Sequence, residues 1–508
     1  MTLYMLIVVA LKILLERNYK HKAKLMNREN IKNLNLTKNQ IDTIEQLQHE
    51  MTEKQNMLKN FDPFILDLTI REPCVGTPLG HTLSNKEDLY GLVKAFGFKD
   101  ILLGTFDVSL PQEPQVDDYF CADMANKATD GVSHFGFAGI RTDTDENGHW
   151  IPNSSMQKLV AYKLPNAIVD MDVANENLYV GDREVFCSYL RKSIDWMYTN
   201  MPSINGAPPK LYINFQDFFD CFTQDLNWTL QLVNLLNETP IAAITFEDGR
   251  GTFLPFQVGA MTKIIKTVLH KDKLLLLHLH SGNGTENAGL IEGILNGADG
   301  IWAGFTKEAA TIGHASTSEF LVNLMRFGNT AIQEKYKLNT LLATANEITN
   351  INTVTTTPKD FPEIGTNAYR MMLSFFEQRG DFNKNISTFN GDKKEIEVKR
   401  YMDVTSEQLG GKTGARITPV ASNEGVIFQR MQELNVGNVQ SAAESILKYM
   451  RIVMRRDLVN NHRYDYDEHL ALTRCYHDAI ELQKQQPDLI TDMEKNSKKG
   501  EWNIVPVK

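Results

Sequence analysis

From Phe64 onward the chain alternates short apolar runs with stretches of helical periodicity, and it does so eight times. The apolar runs are Phe64–Ile70, Asp100–Phe106, Phe135–Arg141, Ala167–Val173, Leu211–Asp217, Ile241–Glu247, Leu274–His280 and Gly300–Thr306. Runs this short and continuous fit strands buried on both faces of a parallel sheet. Helical spacing fills the intervals, for example Lys86–Phe96, Arg183–Tyr198, Leu226–Leu236, Phe256–Leu269, Asn287–Leu295 and Ser318–Phe327. Repeated units of this kind predict a parallel sheet with right-handed crossovers, and eight of them permit closure into a barrel. An open doubly wound sheet is the alternative, but no Gly-x-Gly-x-x-Gly follows the first strand. The expected class is therefore α/β, a (β/α)8 TIM barrel over residues 61–330 followed by an α-rich C-terminal region, 331–508.

Past residue 330 the alternation stops. Residues 345–420 are rich in Thr, Asn, Gly and Lys, with a helical piece expected at Tyr369–Phe376; residues 424–485 show helical apolar spacing; Lys495–Lys508 reads as a loose tail. At the other end, residues 1–60 combine an apolar run, Leu3–Leu15, with a polar helical lead-in. That run is interrupted by Lys12, and it is shorter than the ~20 apolar residues a spanning helix needs. Its basic residues follow the apolar stretch, the reverse of a signal peptide. A short interfacial helix making weak membrane contact through residues 3–15, a mispredicted start and a docking helix are the readings left.

Charge and cysteine usage narrow the function classes. A net charge of −10 with no long basic stripe argues against nucleic acid as a partner. Five scattered cysteines without Cys-x-x-Cys spacing fit a reducing, cytoplasmic setting and no disulfide framework or zinc ribbon.

In a barrel the chemistry gathers at the C-terminal strand ends. Here these carry Arg71-Glu72, Arg141, Asp170 and Asp172, then Asn214 with Gln216-Asp217, Glu247-Asp248, His278 and His280, and Thr306-Lys307. Within His278-Leu279-His280 the two imidazoles lie two residues apart on a strand, so they share one face and are placed to chelate a divalent cation. Histidines of purely structural use are the rival reading.

The motifs Asp67-Leu-Thr-Ile-Arg71-Glu72, Phe246-Glu247-Asp248-Gly249-Arg250-Gly251, His278-Leu-His280-Ser-Gly-Asn-Gly and Gly313-His314 occur in one order. Together, over roughly residues 61–330, they resemble the DRE-TIM metallolyase superfamily, also called HMGL-like or pyruvate carboxyltransferase-like. The resemblance implies metal ligation by Glu72, His278 and His280, with His314 standing where the synthases and the lyase carry an asparagine ligand. It implies that Arg71 steadies developing oxyanion or carboxylate charge; an ion pair with Glu72 or Asp67 is the structural alternative. Asp67 looks like a partner behind the ligands. Glu247 and Asp248 occupy the position of substrate-contacting groups and are candidates for acid/base work. Asp172, Asn214, Gln216, Arg141 and Lys307 are candidate substrate contacts, the last two for a carboxylate or a coenzyme A phosphate.

If His314 ligates, the site holds three imidazoles and a carboxylate, which favours manganese or zinc, with iron or cobalt close behind, over magnesium. If it does not, it is a candidate acid or base, or an incidental residue at a helix start. The resemblance implies Claisen-type acyl transfer from an acyl-CoA to a 2-oxo acid, with a lyase, aldolase or carboxyltransferase as the second reading. A barrel without catalysis, serving binding or assembly, is the third. Segments typical of the synthases after the barrel are missing, so no subgroup follows. The α-rich tail suggests a homo-oligomer.

Overall fold

The structure, a computed structural model, describes residues 36–106, 114–125, 127, 131–140, 143–173, 183–204, 206–310, 312–371, 404–412, 414–437 and 444–499. Arg141 and the apolar run 3–15 lie outside these residues. Eight parallel strands close a barrel in sequence order: β1 Phe64–Asp67, β2 Asp100–Thr105, β3 Ser133–Gly139, β4 Asn166–Asp172, β5 Lys210–Gln216, β6 Ala243–Asp248, β7 Leu274–Leu279 and β8 Gly300–Ala303. Closure is made by β8 against β1, in register from Phe64 with Gly300 to Asp67 with Ala303. The expected TIM barrel is present, followed by a helical C-terminal region.

Strand β1 is shorter than its apolar run, for a local reason. The Asp67 carboxylate accepts the Thr69 amide at 3.2 Å and the Thr69 hydroxyl at 2.8 Å. A carboxylate bonded two residues ahead turns the chain out of the strand. The amides of Arg71 and Glu72 then both donate to the Leu68 carbonyl, and the short helix Glu72–Gly76 begins. Thr69 also accepts the Phe305 amide at 2.8 Å, which fastens this turn to the loop after β8.

Inside the barrel, Leu66, Leu102, Phe135, Ile168, Tyr212, Ala243 and Leu276 form an apolar plug, joined by Leu68, Phe137 and Trp302. Strand alternation carries the same inward face upward. Tyr212 is thus followed by Asn214, Ala243 by Thr245 and Glu247, and Leu276 by His278 and His280. The polar groups stand on a closed apolar floor.

Two compact units divide the chain, one up to Thr357 and one from Pro358. The helix Leu341–Thr353 lies in the first, although the sequence pattern suggested a boundary near 330. In the second, helices Glu424–Leu434, Glu444–Val459 and His469–Gln485 share a core built on Ile427, Met431, Met450, Val453 and Leu472. Most of the helical piece expected at Tyr369–Phe376 lies outside the described residues; its described start is the end of a short turn, Thr366–Tyr369, and a two-residue strand, Arg370–Met371, paired with Gly414–Ala415. Arg370 fixes that arrangement through Asp467 at 2.7 Å and the Ala415 carbonyl at 2.9 Å. Of the tail expected to be loose, Lys495–Lys508, the first residues close the helix Leu489–Lys498, and residues 500–508 lie outside the described residues. No helix among the described residues is long and apolar enough to cross a membrane.

Candidate active site

Three imidazoles meet at the C-terminal mouth of the barrel. His278 and His280 share the inward face of β7, with ring centroids 4.9 Å apart. His314, from the loop after β8, lies 5.3 Å from His278 and 5.7 Å from His280. It arrives there because residue 314 forms an antiparallel bridge with His280 while Ser316 bridges Gly304. Gly313, at φ +90°, supplies the backbone turn just before it; a Cβ there would come within 2.3 Å of the Lys307 carbonyl.

The protonation pattern suits ligation. His278 Nδ1 donates to the Trp302 carbonyl at 2.8 Å, and His314 Nδ1 to the Ala315 carbonyl at 3.3 Å. Each bond leaves Nε2 as the lone-pair nitrogen. His314 is 0% exposed and its Nε2 has no partner. A buried polar atom without a partner carries a desolvation cost and points to a missing ligand. Burial and the neighbouring imidazoles hold His278 well below its ordinary value. Burial and the nearby Arg71 charge take His280 down to about 4. Burial, His280 and Arg71 take His314 down to about 3. All three rings are neutral near pH 7, the form that binds metals.

Among the described residues, Glu247, His278 and His280 are the group whose donor atoms all lie within 4.8 Å of one another. Glu247 pairs in register with His278 across β6 and β7, so both side chains leave the sheet at one level. Its carboxyl accepts the Asn214 amide, which also donates to Asp170 at 2.6 Å. The Thr245 hydroxyl holds the Asn214 carbonyl oxygen, fixing the amide's orientation. Burial and the adjacent Asp170 push Glu247 up to about 8. Both effects favour its protonated form.

Glu72, the carboxylate expected beside the imidazoles, is not in this group, whereas Glu247 is. The turn after β1 makes Glu72 the first residue of a helix, where it is buried and ion-paired with Arg71. Arg71 itself does reach the site. Its guanidinium lies 4.0 Å over the Phe137 ring, and its charge depresses all three histidines.

The remaining candidates separate by face. Asn214 is central. Asp248, one residue past Glu247, points to the opposite side of β6 by strand alternation. There its carboxylate accepts the Phe253 amide at 2.9 Å and shapes the loop after β6, so the structure gives it a loop-forming place away from the imidazoles. Lys307 is engaged by two buried carboxylates, Glu286 at 2.8 Å and Glu319 at 3.6 Å, instead of facing the mouth as a free cation. Asp67 sits beneath the site, fully buried on Thr69. Gln216 is exposed at the end of β5, and Asp172 ends β4. Sequence reasoning passed over the buried Lys86–Asp117 pair, 2.7 Å apart behind Arg71. A lysine within an amphipathic helical pattern gives no signal of burial.

Close backbone packing holds the two loops that frame the site. Gly282 leaves no space for a side chain, since a Cβ would lie 1.9 Å from the Arg250 carbonyl oxygen. Gly251, at φ +63°, approaches the Gly282 amide and the His280 carbonyl in the same way.

Comparison with known proteins gives one sequence relative. An (R)-citramalate synthase of Sulfolobus acidocaldarius is 22% identical over 265 residues, 51% of this chain and 47% of the relative. Its relatives are DRE-TIM metallolyases. The chain spans about half the length of the curated relative it matches. No family model matches. Among solved structures, an HMG-CoA lyase from Acinetobacter baumannii in complex with coenzyme A and 3-methylmalate aligns at a TM-score of 0.47 and 15% identity, over 60% of this chain and 94% of the other. The carboxyl transferase domain of Rhizobium etli pyruvate carboxylase with pyruvate aligns at 0.41 and 13%, over 78% and 66%.

Proposed function

We propose that this chain is a divalent-metal-dependent enzyme that forms a carbon–carbon bond by Claisen-type acyl transfer from an acyl-CoA to a 2-oxo acid. The observation that carries the proposal is the partnerless, fully buried Nε2 of His314 beside His278, His280 and Glu247. Three neutral nitrogens and one carboxylate fit a cation such as manganese or zinc better than magnesium. When bound, the cation acts as a Lewis acid toward the carbonyl of the 2-oxo acid.

The chain's own groups supply the rest. Arg71, held over Phe137, presents a permanent planar cation to a carboxylate or to developing oxyanion charge. Asn214 fixes Asp170 next to Glu247. With Glu247 given to the cation, Asp170 is the carboxylate placed to take a proton from the acyl methyl group. The apolar floor of Phe137, Trp302 and Leu68 excludes water below the reacting atoms. The citramalate synthase relative supports the bond-forming direction.

The test is thiol release from acetyl-CoA by the full chain loaded with manganese or zinc, over a panel of 2-oxo acids. Release should require both the metal and one of the acids, and should vanish in His278→Ala. A stoichiometrically metal-loaded protein that releases no thiol with any acid would defeat the proposal. Cleavage of a hydroxy-oxo acid without coenzyme A would select an aldolase instead.

A further inference from the structure

We propose that Lys86 is a positioning residue, holding Arg71 in the site through a buried clip behind the end of β1. Lys86 lies on the helix Leu83–Phe96 and is 0% exposed. Its ammonium donates to Asp117 at 2.7 Å and to the Ile70 carbonyl at 3.0 Å, with the Cys74 sulfur 3.7 Å away. Ile70 immediately precedes Arg71, and the Cys74 thiol donates to the carbonyl of Arg71 itself at 2.9 Å. The second oxygen of Asp117 accepts the Thr105 amide at 2.7 Å, at the end of β2. Gly104 makes room for that carboxylate, since a Cβ there would lie 2.9 Å from it.

One ion pair thus joins the turn after β1, the end of β2 and two helices. Both carbonyls that flank the Arg71 backbone are held, one by Lys86 directly and one through Cys74. The direction in which the guanidinium leaves the chain, toward Phe137 and the imidazoles, follows from that restraint. Stability alone does not call for a charged clip here. Desolvating a buried pair offsets most of its attraction, and apolar replacements are often at least as stable. What such a pair adds over apolar contact is direction.

The inference rests on the proposed role of Arg71, so its test carries Arg71→Ala as a separate arm. Lys86→Met alone leaves Asp117 buried and unpaired, and is expected to unfold readily. The informative protein is Lys86→Met/Asp117→Asn, which removes both charges and keeps an oxygen for the Thr105 amide. Thermal unfolding, manganese affinity, and pyruvate binding to the manganese-loaded full chain are measured for each. The double variant should unfold near the wild-type temperature and bind manganese equally well. Its affinity for pyruvate should fall about tenfold, as in Arg71→Ala, because a displaced guanidinium loses its charge-assisted bonds. Adding Arg71→Ala to the double variant should cost nothing further. Wild-type pyruvate affinity in the double variant, with weakened binding in Arg71→Ala, would overturn the positioning role. Failure of the double variant to fold would assign the pair to stability and overturn it too. Unchanged binding in Arg71→Ala would instead remove the assigned role of Arg71, and the clip's purpose with it.

Discussion

Replacing Glu247 with glutamine isolates the cost of keeping a carboxyl group inside the barrel. Burial and Asp170 push Glu247 from an ordinary 4.5 up to about 8. Between those values the folded protein retains a proton that the unfolded chain has released, so stability falls as pH rises. The slope is about 1.4 kcal/mol per pH unit, which reaches about 3 kcal/mol by pH 7. The amide introduced by Glu247→Gln still offers Asn214 an acceptor oxygen but has no carboxyl proton to lose. Asp67, raised by burial to about 7, acts with the same sign as Glu247. The three histidines act oppositely: held below 6.5, they let the unfolded chain bind protons that the folded one does not, so their contribution rises with pH up to about 6.5. Asp67 and the histidines are present in both proteins, so the wild-type-minus-variant difference reports Glu247 together with its effect on the adjacent Asp170. Urea unfolding of metal-stripped protein in steps from about pH 5 to about pH 8.5 measures it. Tryptophan fluorescence follows chiefly the right unit, because four of the five tryptophans, Trp150, Trp196, Trp228 and Trp302, precede Thr357. The variant should gain steadily on the wild type and level off near pH 8. A difference that stays flat across this range would refute the reasoning, because Glu247 would then not be a buried, proton-holding group.

Other substitutions separate the remaining roles. His314→Ala should weaken zinc or manganese binding by on the order of 100-fold, measured by chelator competition, since even groups behind a ligand are worth 10- to 100-fold. Unaltered affinity would leave His314 outside the ligand set. Gly282→Ala forces a Cβ against the Arg250 carbonyl and should cost about 3 kcal/mol in urea unfolding, with metal affinity falling as His280 shifts. Wild-type stability there would show that the two loops part freely. Asp248→Ala should lose about 1–3 kcal/mol through the abandoned loop amides while metal affinity stays near wild type; a collapse of affinity would return Asp248 to the site.

Much of this architecture was legible before any coordinates. The eight apolar runs predicted strands whose starts agree with the structure within two residues, because short continuous hydrophobicity has few other uses in a chain of βα units. The shared face of His278 and His280 followed from strand alternation alone. The same alternation separates Glu247 from Asp248, although which of the two faces inward depended on how β6 pairs with β7. Arg71 was also identified from its motif, and its rival reading as an ion-pair partner of Glu72 is seen as well.

What spacing could not supply was convergence. Glu72 adjoins Arg71 in the chain, yet the Asp67–Thr69 turn starts a helix there and buries Glu72 against Arg71, while Glu247 groups with the imidazoles. His314 reaches His280 only through a bridge made after β8 has closed on β1. Lys86 looked like any helical lysine until the ends of β1 and β2 enclosed it. The sequence by itself determined the strands, their faces and the chemical types at their ends, because these depend on neighbours along one backbone. Barrel closure and the turns beyond the strands decided which carboxylate, which third imidazole and which buried cation meet, because those positions depend on packing between segments far apart in the chain.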